Sequence, residues 1–188
     1  LYIAEKPSVA QEFAKALKLE AKRRDGYIES EEAVVTWCVG HLVTMSYPEE
    51  YSPSLKRWSL KTLPFIPEEF KYEVIPAVAK QFGIVAELLN RSDVETIYVC
   101  TDSGREGEYI YRLVEQQAGV HGKKRRRVWI DSQTEEEILR GIREAKDLKE
   151  YDNLSASAYL RAKEDYLMGI NFSRLLTLKY GSSISDYL

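Results

Sequence analysis

The stretch TIYVCTDSGREGEYIYRL, from Thr96 to Leu113, holds two structural elements and a chemical feature between them. Its opening residues are β-branched, aromatic or apolar, the composition of a buried strand. The run stops at Asp102. Gly104 and Gly107 follow, with Arg105, Glu106 and Glu108 around them, and from Tyr109 an apolar pattern resumes at helical spacing. This reads as a strand over 96–101 and a helix over about 106–117. In a parallel sheet ligands bind beyond the carboxyl ends of the strands. An acidic, glycine-bearing turn there is therefore both a helix cap and a candidate site.

Working outward, Leu1 to Ala4 is a short apolar run that ends at Glu5, and Pro7 opens a segment with Val9, Ala10, Phe13, Ala14 and Leu17 on one helical face. Residues 26–45 favour strands, with Asp25-Gly26 as a turn signal, and read as a hairpin excursion. Residues 47–67 carry four of the six prolines and Trp58 without periodicity, which predicts a long surface loop. Beyond it come a strand near 72–75, a helix over about 77–90, a strand over 127–130 and a helix to about 146. Thr134 and Glu137 have capping-box spacing for that last helix. Alternating strands and crossover helices predict an α/β domain, a mostly parallel sheet flanked by helices on both faces. From about 151 to 180 the pattern is helical without strands. We therefore expect one domain over 1–148 and a helical segment over 149–188 that begins a second.

Lys and Arg number 27 against 30 Asp and Glu, a net charge of -3, so nucleic-acid binding would need a local patch. The two cysteines, Cys38 and Cys100, lie in apolar runs without zinc-ligand spacing and read as buried thiols of a reducing compartment. No apolar stretch approaches the roughly eighteen residues of a membrane span, and no signal peptide is evident. A cytoplasmic protein without membrane attachment is expected. The chain opens at Leu1, directly in its first strand, which reads as a trimmed start.

Two strands end in acids, Glu5 and Asp102, and Glu106 stands four residues after the second. Carboxylates converging on one crevice suit Mg²⁺, which takes oxygen ligands and keeps waters that a phosphate can displace. Lys6 and Arg105, beside those acids, are placed to hold a phosphodiester through charge-assisted hydrogen bonds. One acidic turn alone is more often a cap. Two acidic strand ends, each with a basic neighbour, favour metal-dependent phosphate chemistry.

The segments AEKPSVA at 4–10, TWCVGHL at 36–42, TDSGREGE at 101–108 and RAKEDYLMGIN at 161–171 resemble, in order, the N-terminal part of the bacterial topoisomerase III branch of the type IA DNA topoisomerases. That resemblance spans essentially the whole chain and implies a Rossmann-like Toprim fold. It implies that Glu5 lies near the scissile phosphate, in proton transfer or metal binding, and that Asp102 and Glu106 match the outer acids of an Asp-x-Asp-x-Glu metal motif. Gly104 replaces the middle acid, and Glu108 is a candidate substitute. Glu5, Lys6, Asp102 and Arg105 would be catalytic, and Glu5, Asp102 and Glu106 would hold Mg²⁺. Lys6, His41, Arg105, Arg161, Asp165, Asn171 and Arg174 would contact DNA, single-stranded segments preferred. On sequence alone His41 is as readily a turn histidine, and Arg161 and Asp165, four apart, pair on any helix face.

Type IA enzymes cut DNA with a tyrosine, a form of covalent catalysis, and none of the 13 tyrosines here has a counterpart of that motif. The resemblance thus implies a fragment whose partners are DNA and the remaining domains of the same polypeptide, with no obligate oligomer. Another Toprim enzyme, a primase or nuclease, would lack the 161–171 segment. A non-catalytic DNA-binding module would use the acids only as caps. The basic run 123–127 reads as a solvated turn before a strand, Trp37 and Trp129 as core, and Trp58 as the better candidate for stacking on a base.

Overall fold

A computed structural model describes residues 1–181. The chain divides into two compact units, one of residues 1–44 and 74–158, the other of 45–73 together with the residues from 159 onward. The sequence suggested one boundary near 148. The observed division cuts the chain three times, because the proline-rich segment groups with the last helix from Tyr159 onward. No helix among the described residues is long and apolar enough to cross a membrane.

In the first unit the elements are β1 (Tyr2–Ala4), α1 (Pro7–Ala16), β2 (Lys22–Arg24), β3 (Tyr27–Glu29) and β4 (Val34–Trp37), then α2 (Ala79–Asn90), β7 (Thr96–Cys100), α3 (Arg105–Ala118), β8 (Lys124–Arg127), α4 (Glu135–Arg143) and β9 (Lys146–Asp147). The chain leaves this unit along β5 (Val43–Met45) and returns along β6 (Tyr72–Val74), a two-stranded ribbon apart from the main sheet. The seven-stranded sheet has the order β2-β3-β4-β1-β7-β8-β9. Its centre, β4 to β8, is parallel, and β2, β3 and β9 add antiparallel edges. This is the expected mostly parallel, helix-flanked sheet.

The crossovers explain the layers. β1 leads through α1 to β4 on one side, and β7 leads through α3 to β8 on the other; right-handed crossovers in opposite directions place their helices on opposite faces. Accordingly α1 packs beside α4, and α2 beside α3. Ala4, Val35, Trp37, Cys100 and Val128 meet Val9, Phe13 and Ile138 in one core layer. Ile3, Ile97 and Val99, one residue out of phase, serve the other face, where Val85, Leu89, Ile110 and Val114 are buried.

The strand expected at 127–130 lies three residues earlier, and the basic run is the strand itself. It is not a solvated turn. Glu108 and Glu115, two turns apart on α3, face Arg127 and Arg125, two residues apart on β8, and each acid pairs with its arginine. Arg126, on the opposite strand face, donates to the Ala145 carbonyl at 3.2 Å. Complementary charge on the facing helix takes the place of an apolar pattern. Trp129 lies just past the strand, half-buried and stacked on Tyr151 with ring centroids 5.3 Å apart; Trp37 is in the core. Thr134 caps α4 by accepting from the Glu137 amide, while the Glu137 carboxylate turns to the Asp131 amide, so the capping box is half formed.

In the second unit the expected long loop is a series of tight turns, Pro48–Glu50, Pro53–Lys56 and Leu60–Thr62, gathered on α5 (Asp152–Tyr180) from Tyr159 onward. Asn171 accepts from the Phe65 amide at 2.6 Å and donates to the Phe65 carbonyl at 2.9 Å. Arg174, only 4% exposed, donates to the Leu55 carbonyl at 2.9 Å and lies 5.1 Å over the Trp58 ring. The Tyr166 hydroxyl donates to the Ser46 carbonyl at 2.7 Å.

Two substitutions test this account. A Cβ at Gly107 would sit 2.0 Å from the Asp102 carbonyl oxygen, so Gly107→Ala should destabilise by about 3 kcal/mol and lower Tm by roughly 6–12 °C in a thermal melt. An unchanged Tm would contradict it. Asn171→Ala orphans the Phe65 amide and should cost about 1–3 kcal/mol, with faster hydrogen exchange at Phe65 and faster proteolysis within 47–67.

Candidate active site

The sheet reverses its winding between β1 and β7, and ligands of open α/β sheets bind at such a switch point. Ala4 pairs with both Trp37 and Cys100, so three strands end level with one another. Glu5 follows β1, and Asp102 lies two residues beyond β7. The Asp102 amide donates to Glu5 Oε2 at 3.1 Å. Glu5 is 8% exposed, and burial pushes its carboxyl above the usual range. The Asp102 amide opposes that shift, the Asp102 charge adds to it, and Lys6 and Glu106 contribute opposing smaller effects.

The third strand end brings His41. Gly40 has a φ of +80°, a left-handed turn that favours glycine, and its amide donates to the Glu5 carbonyl at 3.3 Å. His41 then meets Glu106 through Nε2 and Oε1, with its ring edge-on to Tyr109 at 5.9 Å. Lys6 precedes Pro7 at the start of α1 and Arg105 is the first residue of α3; both are exposed. The structure thus gathers Glu5 with Asp102 and His41 with Glu106 at one sheet edge. A polar cavity of about 300 Å³ opens on the far side of Asp102, which lines it together with Thr101, Ser103, Asp131, Ser132 and Gln133 among others.

The two glycines of the turn differ. Gly104 is extended, with φ 161°, and a Cβ there meets nothing within 4 Å. Neither conformation nor space requires glycine at that place. Gly107 is the one that permits close approach, to the Asp102 backbone. Glu108 does not substitute for a middle acid: it is fully buried and held by Arg127 Nε at 2.8 Å and Arg112 Nε at 2.9 Å. Among the described residues no group of three or more His, Cys, Asp or Glu side chains is arranged to enclose a metal ion.

The remaining expected residues lie on α5. Arg161 and Asp165 form an exposed pair at 3.0 Å, and Asn171 and Arg174 are engaged inside the second unit. Arg127 went unnoticed in the sequence. Its fully buried guanidinium donates to the carbonyls of Thr101 at 2.7 Å and Asp102 at 2.8 Å. The signal for it was two acids two turns apart on one helix face and two arginines two residues apart on one strand face.

Comparison with known proteins places this geometry. Residues 1–132 match the Toprim domain family. The chain is 43% identical over 185 residues to a DNA topoisomerase 3 of Staphylococcus epidermidis, covering 98% of this chain and 26% of that protein. It is 43% identical over 183 residues to the DNA topoisomerase 3 of Bacillus subtilis, covering 97% and 25%. The chain therefore spans about a quarter of the length of these curated relatives. Its fold is similar to that of full-length topoisomerase I from Thermotoga maritima, with a TM-score of 0.61 at 17% identity over 94% of this chain and 26% of that one. With well over half of its length matched, the chain belongs to the Toprim domain family.

Proposed function

We propose that this chain supplies the acid-bearing Toprim part of a type IA DNA topoisomerase, an isomerase that cuts one DNA strand, passes another through the gap and reseals it. The nucleophilic tyrosine would come from the rest of the polypeptide. The observation that carries this reading is the junction of Glu5 with Asp102 at the switch point, flanked by the exposed cations Lys6 and Arg105. The topoisomerase names of the relatives support it.

The donors at hand, Glu5, Asp102 and Glu106, are carboxylates, the hard oxygen ligands that Mg²⁺ takes. Mg²⁺ is commonly bound through one or two carboxylates plus waters and phosphate, which fits an open site better than a closed cage. When bound, it would neutralise charge on the scissile phosphate. The protein's own groups do the rest. Glu5, with its raised proton affinity, holds or moves a proton beside the reacting phosphate. Lys6 and Arg105 hold phosphate oxygens, and His41 orients Glu106. Arg161, paired with Asp165, is the exposed cation of the α5 set, while Asn171 and Arg174 shape the unit that carries it. Single-stranded DNA is the proposed ligand and the cytoplasm the place of action.

Titration with Mg²⁺ should shift the amides of Glu5, Asp102 and Glu106, and Asp102→Asn should abolish the effect. Gly104→Asp, which the open space at that position accommodates, should tighten Mg²⁺ about tenfold by adding a carboxylate. Shifts spread evenly over the surface and indifferent to Asp102→Asn would sink the metal assignment. For DNA, the Lys6→Ala and Arg105→Ala double variant should weaken binding of a single-stranded oligonucleotide. The slope of log K against log salt should fall by about 1.4, as two lost phosphate contacts require. An unchanged slope would remove Lys6 and Arg105 from the DNA contacts.

A further inference from the structure

We propose that Arg127, anchored by Glu108, is a positioning residue for the acidic centre, acting on Glu5 through the peptide group between Thr101 and Asp102. The geometry is a clamp on one peptide plane. Arg127 Nη1 donates to the Thr101 carbonyl at 2.7 Å, and the amide of the same peptide, that of Asp102, donates to Glu5 Oε2 at 3.1 Å. Opposite edges of one rigid unit are thereby fixed, by a buried cation on the carbonyl side and by a candidate active-site carboxylate on the other. Polarising the carbonyl strengthens donation from the amide, as hydrogen bonds in series do. Arg127 Nη2 holds the next carbonyl, that of Asp102, at 2.8 Å, the oxygen against which Gly107 is packed.

The anchor is designed into the fold. Arg127 and Glu108 are each 0% exposed and joined at 2.8 Å through Nε. The second Glu108 oxygen takes Arg112 Nε at 2.9 Å, and Arg112 in turn reaches the Leu148 carbonyl at 2.9 Å. Only a planar, forked donor serves a carboxylate and two successive carbonyls at once. A lysine would keep the charge and lose the fork. The carbonyls of Thr101 and Asp102 have left the regular strand, and without the guanidinium the Thr101 oxygen would lack this partner in a buried place.

The metal arm of the test rests on the proposed role of Glu5 and Asp102, and the other arms do not. Two variants of the 188-residue chain are compared with wild type: Arg127→Lys, and the Arg127→Met with Glu108→Leu double variant, which removes the buried pair and leaves Arg112 its ion pair with Asp152 at 2.9 Å. In variants that retain a cooperative melt, Asp102 amide exchange should rise at least tenfold while exchange of the Tyr98 amide, bonded to the Leu1 carbonyl, stays constant. The Glu5 carboxyl carbon should move in the NMR spectrum, and the Mg²⁺ midpoint should rise about tenfold. Lysine should not rescue. A folded variant with wild-type Asp102 exchange and an unmoved Glu5 carboxyl carbon would overturn the proposal. If wild type itself shows no Mg²⁺ response, the metal reading falls while the exchange and carboxyl arms still decide the positioning role. If neither variant folds, wild type decides: slowed exchange of the Arg127 guanidinium protons with coupling to the Thr101 carbonyl supports the clamp, and their absence refutes it.

Discussion

The Thr101 to Asp102 peptide, held on one side by Arg127 and on the other by Glu5, is the constraint on which the candidate centre depends. A turn at the end of a strand has lost its ladder partners, and its backbone groups must find others or face water. Here the partners are charged, buried and supplied by neighbouring elements. The loop carrying Asp102, the carboxylate of Glu5 and the first turn of α3 are thereby fixed relative to one another before any ligand arrives. Such preorganisation is what a site for phosphate chemistry requires.

The cost of that arrangement is a buried ion pair, and the fold is built around it. A lone charge with no exposure would be strongly destabilising, and removal of one partner is expected to hurt far more than removal of both. The surrounding hydrogen bonds to Arg112, Thr101 and Asp102 satisfy the remaining donors and acceptors. The interface of α3 with β8 therefore alternates between hydrocarbon packing and paired charge. Glu115 with Arg125 repeats the motif nearer the solvent. Specific pairing of this kind fixes the register of helix on sheet in a way that interchangeable aliphatic contacts do not.

Much of this was legible in the sequence where local signals and tertiary environment agree. The change from strand to helical period on either side of Asp102, and the proline that opens α1 after Glu5, located the sheet edge and the acids on it. What was not legible depends on residues far apart in the chain. β8 carries four consecutive basic residues, a composition that denies a strand unless the acids of α3 are known to face it. The proline-rich segment read as open loop because its decisive hydrogen bonds run to Asn171 and Arg174, more than a hundred residues away. Gly104 and Gly107 are identical letters with different roles, since only the second lies against backbone. Glu108 resembled a third ligand by spacing and is taken by arginine instead.

The most direct test of the central claim is an anomalous difference map from crystals of the 188-residue chain grown with Mn²⁺, a metal that shares the oxygen preference of Mg²⁺. The account predicts a peak at the switch point, coordinated by carboxylate oxygen of Glu5 or Asp102, with the Thr101 to Asp102 peptide still bound to Arg127. Ordered crystals with no peak there, or with the metal seated only elsewhere on the chain, would contradict it.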